Sequence, residues 1–178
     1  MSDGTTGTFL TLDDGRPAVR FVREYDRPVE RVWQLVTDPD ELAHWFPSSV
    51  DIELRAGGVI RFSGDPNLPE SSGRVLAVDA PRHLAFTWNE DELRFDLETV
   101  GAERTRFVFT HVLSATDTAA RTAAGWEVCL GFLDARTRDG EREGPHADAA
   151  ADWEEHYRAY IASGVPSGAP VPGLADAE

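Results

Sequence analysis

The sequence contains no lysine; all 17 of its basic residues are arginine. Chemistry that needs a side-chain amine, a Schiff base above all, is thereby excluded. Positive charge is scarce altogether. Asp and Glu number 32 and the net charge is −15. Nucleic acid needs a basic face and anionic membranes attract basic segments, so the charge argues against both partners. Cys129 is the single cysteine, which forbids an intrachain disulfide and points to a reducing compartment, the cytoplasm. Met1 to Thr8 are polar and lack an apolar signal core, and no apolar run approaches the length of a membrane span. There is no Gly-x-Ser-x-Gly, no phosphate-binding glycine loop and no dinucleotide fingerprint. The five histidines, His44, His83, His111, His146 and His156, include no pair spaced three or four apart, so neither a metal nor a cofactor is expected.

What remains is ordinary for a globular chain of 178 residues, 41% hydrophobic and 28% charged, enough for one sizeable core. Val29, Val32, Trp33 and Val36 form one helical stripe after Pro28. Asp38-Pro39 then starts a second short helix, with Glu41 placed to reach back to the cap's N–H and Leu42, Trp45 and Phe46 on its apolar face; Pro47 ends it. Before this pair, Phe9–Leu12 and Val19–Tyr25 flank Asp13-Asp14-Gly15, a hairpin signal. After it the period becomes two. Val50, Ile52 and Leu54 alternate, Ala56-Gly57-Gly58 turns, and Ile60 and Phe62 continue. Val75, then Leu84, Phe86 and Trp88, then Leu93, Phe95 and Leu97, then Thr105, Phe107, Phe109 and His111 follow, separated by turns such as Asn89-Glu90-Asp91. This is an antiparallel meander with one apolar face. Thr116–Thr137 has helical spacing through Ala119, Ala123, Trp126, Leu130 and Leu133, and should lie across that face. Gly125, costly in a helix by about 1 kcal/mol, points to close approach of a strand or to room beside Trp126. A last short helix is expected after an Asp152 cap, striped by Trp153, Tyr157 and Tyr160.

This order of elements resembles the helix-grip fold of the START-like (SRPBCC) superfamily, also called birch-pollen-allergen-like. Arg27-Pro28-Val29-Glu30-Arg31-Val32-Trp33, Thr37-Asp38-Pro39 through Trp45-Phe46-Pro47, Gly57-Gly58, Gly73-Arg74-Val75, Pro81-Arg82-His83-Leu84, Thr105-Arg106-Phe107, Thr110-His111 and Ala124-Gly125-Trp126 are similar to its branch of activators of heat-shock-protein-90 ATPase, over about Val19 to Thr137. The resemblance implies an α+β fold, a curved antiparallel sheet wrapped around a long C-terminal helix with two short helices between the first two core strands. Residues 1–18 are then an N-terminal hairpin extension, 19–162 a single domain, and 163–178, rich in Pro, Gly, Ala and Ser, a disordered tail.

The resemblance further implies a cavity between sheet and long helix that takes an apolar small molecule: a lipid, an aromatic or a polyketide-like chain. Its lining would be Trp45, Phe46, Phe62, Trp88, Phe95, Phe109, His111, Trp126 and Leu130. The bland alternative is that these aromatics fill the core. His111 shares strand parity with Phe107 and Phe109 and so points inward, where it either satisfies a core group or offers a polar tip to a ligand. No covalent chemistry is evident. An aromatase- or cyclase-type enzyme would need His111 as acid or base and a second polar group beside it, which the sequence does not identify. A protein-interaction domain, with a chaperone partner or as a homodimer, would instead show a filled interior and an exposed apolar patch. Cys129 reads as a small buried apolar residue, and Glu53, Arg61, Asp96 and Glu98 as a solvated face.

Overall fold

In the computed structural model, which describes residues 7–65, 69–137 and 150–169, period-two patterning becomes one sheet. Strands β1 (Thr8–Thr11) and β2 (Pro17–Tyr25) form the N-terminal hairpin. Gly15, at φ +88, makes its turn. Helices α1 (Val29–Thr37) and α2 (Pro39–Leu42) follow, then β3 (Ser49–Ile52), β4 (Val59–Ser63), β5 (Ser71–Asp79), β6 (His83–Trp88), β7 (Asp91–Gly101) and β8 (Arg104–Val112). Every pairing is antiparallel and the order is β1-β2-β8-β7-β6-β5-β4-β3. The second strand therefore closes on the last, and the two short helices bridge opposite ends of the meander. A single 3₁₀ turn (Thr116–Thr118) leads into the long helix α3 (Ala119–Thr137). Its Ala119, Ala123, Trp126, Leu130 and Leu133 are all buried. This is the helix-grip α+β architecture that the resemblance implies.

Local departures have physical causes. Leu54 does not continue β3; it is 41% exposed. The chain has already turned, because the Arg55 N–H bonds the Glu53 carbonyl and Gly58 packs so close that a Cβ there would lie 2.2 Å from the Glu53 oxygen. Helix α2 is a single turn, and Trp45 and Phe46 follow it in a further turn, held by N–H bonds to the Leu42 carbonyl. Asp38 caps α2 by accepting from the Asp40 N–H. Glu41 does not reach back to the cap. It lies instead between Arg31 and Arg136, each at 3.0 Å, and so fastens α2 to α1 and α3. Burial pushes the Glu41 carboxyl up, but the two guanidinium groups outweigh this and hold it below the usual range.

No tight approach is made at Gly125: a Cβ there would meet the Trp153 indole nitrogen of the last helix, α4 (Ala150–Ala162), at 3.8 Å, an ordinary van der Waals distance. Asp152 lies inside α4, which starts at Ala150, so it is not the cap. The first part of the C-terminal segment is held down. The Ala120 N–H bonds the Pro166 carbonyl and the Ala169 N–H bonds the Asp117 carbonyl, so residues 163–169 cross the start of α3. The rest of that segment, residues 170–178, lies outside the described residues, as does the connection between α3 and α4, residues 138–149, with His146.

Gly73 gives a direct test of how tightly β5 packs on β6. A Cβ there would sit 2.2 Å from the Thr87 backbone oxygen. Gly73→Ala should destabilise the fold by about 1–3 kcal/mol, the usual cost of overpacking, measured by urea unfolding.

Candidate functional site

Strand β8 carries Phe107, Phe109 and His111 on its inner face, and α3 lays Trp126 over them. The His111 ring is buried at 2% exposure and both its nitrogens are engaged. The Trp126 indole N–H reaches Nδ1 at 2.8 Å. An indole nitrogen only donates, so Nδ1 accepts and carries no proton. The proton is then on Nε2, which donates to the Asp91 carboxylate at 2.6 Å. The other Asp91 oxygen accepts from the Ser114 N–H at 2.8 Å. Burial pushes the Asp91 carboxyl up, but the hydrogen bonds from His111 and Ser114 more than compensate and hold it below the ordinary carboxylate range.

This geometry decides what His111 can do. A general base needs a free lone pair and a general acid a transferable proton within reach of substrate. Here the lone pair faces a buried indole N–H and the proton faces a partly buried carboxylate. His111 is the polar hinge of the core, joining β7, β8 and α3, and supplies no acid–base group to a substrate in this arrangement. Asp91 is the partner that sequence reasoning missed, although its parity was readable: it stands two residues before Leu93 and opposite Trp88 in the register.

Around this hinge the aromatic residues pack on one another. Trp126 lies 4.7 Å from Phe109, 5.4 Å from Trp88 and 5.5 Å from Phe46, centroid to centroid. Phe46 lies 6.0 Å from Phe62 and 5.7 Å from Trp88. A second group, deeper, joins Trp45 and Phe109 through Phe95. Trp45 is wholly enclosed and its indole donates to the Leu35 carbonyl at 2.9 Å, tying down the end of α1. Leu130 is equally enclosed. The structure thus brings Phe46, Phe62, Trp88, Phe109, His111 and Trp126 into one cluster, with Trp45, Phe95 and Leu130 in the packed core beside it.

Trp88 differs from the other rings. It is only partly buried, and among the described residues its indole makes no hydrogen bond, whereas Trp45 and Trp126 are both anchored. Beside it opens a small recess lined by Ser48, Phe62, Asp65, Ser71 and Asn89. Its free volume is about 10 Å³, the room of one water. Asn89, at φ 55, forms the tight turn that sets Trp88 there.

A second polar cluster lies on the far side of α3. Buried Arg23 of β2 is 3.5 Å from Glu127 and 3.6 Å from Asp134. Tyr25 donates to Asp134 at 2.7 Å, and Tyr160 of α4 donates to Glu127 at 2.5 Å. Burial, and then the Glu127 carboxylate, push the Tyr160 hydroxyl well up. These bonds fasten α3 and α4 to the sheet. Cys129 is buried and its thiol is pushed up to about 12, chiefly by burial. Among the described residues no group of three or more His, Cys, Asp or Glu could hold a metal, and no helix is long and apolar enough to cross a membrane.

With this arrangement in view, comparison with known proteins is informative. The family model described as "Activator of Hsp90 ATPase homolog 1-like protein" matches residues 26–138. The chain belongs to that family. Among solved structures, it is similar to CalU16 from Micromonospora echinospora, with 24% identity over 90% of this chain and 96% of that one and a TM-score of 0.67. It is also similar to the Aha1 dimer from Colwellia psychrerythraea, with 21% identity over 70% and 98% of the chains and a TM-score of 0.59. DynU16, of the dynemicin biosynthetic locus, shares 27% identity over 68% of this chain and 47% of its own, with a TM-score of 0.59. No curated protein matches the sequence.

Two outcomes follow for the hinge. Trp126→Phe removes the donor to Nδ1 and should cost about 1–3 kcal/mol in urea unfolding, the cost of a buried unsatisfied acceptor. The folded Asp91 carboxyl titrates below its unfolded value, so its contribution is complete above about pH 4 and is lost as the pH falls through the folded value. Asp91→Asn should therefore flatten the acid limb of a stability–pH profile while lowering stability at pH 7.

Proposed function

We propose that the protein is a cytoplasmic, non-catalytic binding domain for an apolar small molecule with aromatic or acyl character. The ligand seats against Phe62, Phe46 and Trp88 at the recess beside the β6–β7 turn. The observation that carries this reading is Trp88. It is the one ring of the cluster that reaches the surface without a hydrogen bond to fix it, so it can swing where Trp126 cannot. A ligand entering beneath it gains area at about 25 cal/mol per Å² and stacks on aromatic faces. The occupied nitrogens of His111 support binding without acid–base chemistry. The similarity to DynU16, whose locus is biosynthetic, supports a small-molecule ligand.

A second reading has its own observation. The interior is packed, with ring centroids at 4.7–6.4 Å and a recess no larger than one water, as a protein-interaction domain would have. Under it the partner is a chaperone-like protein or a second copy, for which the dimeric Colwellia relative is a precedent.

Titration with the neutral dye N-phenyl-1-naphthylamine separates the two. The binding reading predicts saturable 1:1 uptake with quenching of tryptophan emission, weakened about three- to tenfold in Trp88→Ala, the loss of a stacking face. No saturable uptake by the folded protein would overturn it and leave the interaction reading.

A further inference from the structure

Ser48 is the residue that the packing leaves unexplained. It lies in the bend directly before β3, two residues ahead of Val50, which is buried and pairs with Phe62. An apolar side chain is expected there. Instead a hydroxyl is enclosed, at 6% exposure, and its Oγ has no hydrogen-bond partner among the described residues. A buried hydroxyl without a partner costs about 1–3 kcal/mol, so such groups are rare unless something arrives to satisfy them. Ser48 also lines the recess beside Phe62 and Trp88. The unpaired polar atom and the opening occupy the same place.

Resting on the binding reading above, we infer that Ser48 is the polar anchor of the site, its hydroxyl hydrogen-bonding the single hydroxyl or carbonyl group of an otherwise apolar ring compound seated on Phe62 and Trp88. Three features select the ligand class. The floor is aromatic and favours a flat ring. The one unpaired polar atom is neutral and can donate or accept, so it suits a hydroxyl or carbonyl head. The net charge of −15, with Asp65 among the lining residues, disfavours an anionic head. The ligand is therefore a neutral hydroxy- or keto-substituted aromatic, not a carboxylic acid.

The test is competition against N-phenyl-1-naphthylamine by 2-naphthol, naphthalene and 2-naphthoate. On the wild type 2-naphthol should compete best and 2-naphthoate least. Ser48→Ala should weaken 2-naphthol about three- to tenfold, the value of one hydrogen bond, and leave naphthalene within about twofold. Ser48→Cys, which keeps the volume, should shift 2-naphthol in the same direction, so the result does not depend on one variant folding. If dye binds and 2-naphthol and naphthalene respond equally to either substitution, or 2-naphthol competes no better than naphthalene on the wild type, the anchor is overturned while the binding site stands. If the folded wild type takes up no dye, the binding reading fails and the anchor fails with it.

Discussion

The arrangement of sheet and long helix depends on a histidine that both sides hold. His111 sits on β8, receives the Trp126 N–H from α3 and gives its own N–H to Asp91 at the start of β7. Each bond fixes the next. Asp91, itself held by Ser114, fixes the Nε2 proton; that leaves Nδ1 bare, and the bare nitrogen fixes the indole of Trp126. A buried polar group costs little only when every partner is in place. Here every partner is in place, and the indole so positioned becomes the centre on which Phe46, Trp88 and Phe109 pack.

The same bonds explain why the most reactive-looking residue of the interior is not chemistry in waiting. An imidazole with both nitrogens engaged, one by a buried indole and one by a partly buried carboxylate, is a joint. At the edge of the cluster, Trp88 is partly exposed and makes no hydrogen bond among the described residues, and the Ser48 hydroxyl has no partner among them. Hydrogen bonds join helix and sheet at His111, and a small recess lies where β3 and the β6–β7 turn meet. Arg23, Glu127, Asp134 and Tyr160 add further polar contacts between α3, the sheet and α4.

Much of this was legible in the sequence because it rests on period. Alternation through Leu93, Phe95 and Leu97 and through Phe107, Phe109 and His111 gave the strands and their inner faces, and the spacing of Ala123, Trp126, Leu130 and Leu133 gave the gripping face of α3. Asp91 escaped because it was read as a turn residue, although its parity with Leu93 placed it inside. Glu41 escaped because a local rule, the capping box, was preferred to a long-range pair with Arg136, and separation in sequence hides such pairs. Leu54 continued a pattern that the close backbone approach at Gly58 interrupts. Alternation says which side chains face inward; it does not say how they fill the space, so the packed state of the rings and the unpaired hydroxyl of Ser48 emerged only from three-dimensional contact.

The most direct test of the account is the protonation pattern of the His111 ring, read at pH 7 by long-range proton–nitrogen correlation NMR on ¹⁵N-labelled protein. The account predicts a neutral ring with the proton on Nε2 and a bare, hydrogen-bond-accepting Nδ1, together with a downfield Trp126 indole proton. A proton on Nδ1, or a doubly protonated ring, is incompatible with an indole donor at that nitrogen. Either result would mean that Trp126 is not held by His111 and that the joint between helix and sheet is made some other way.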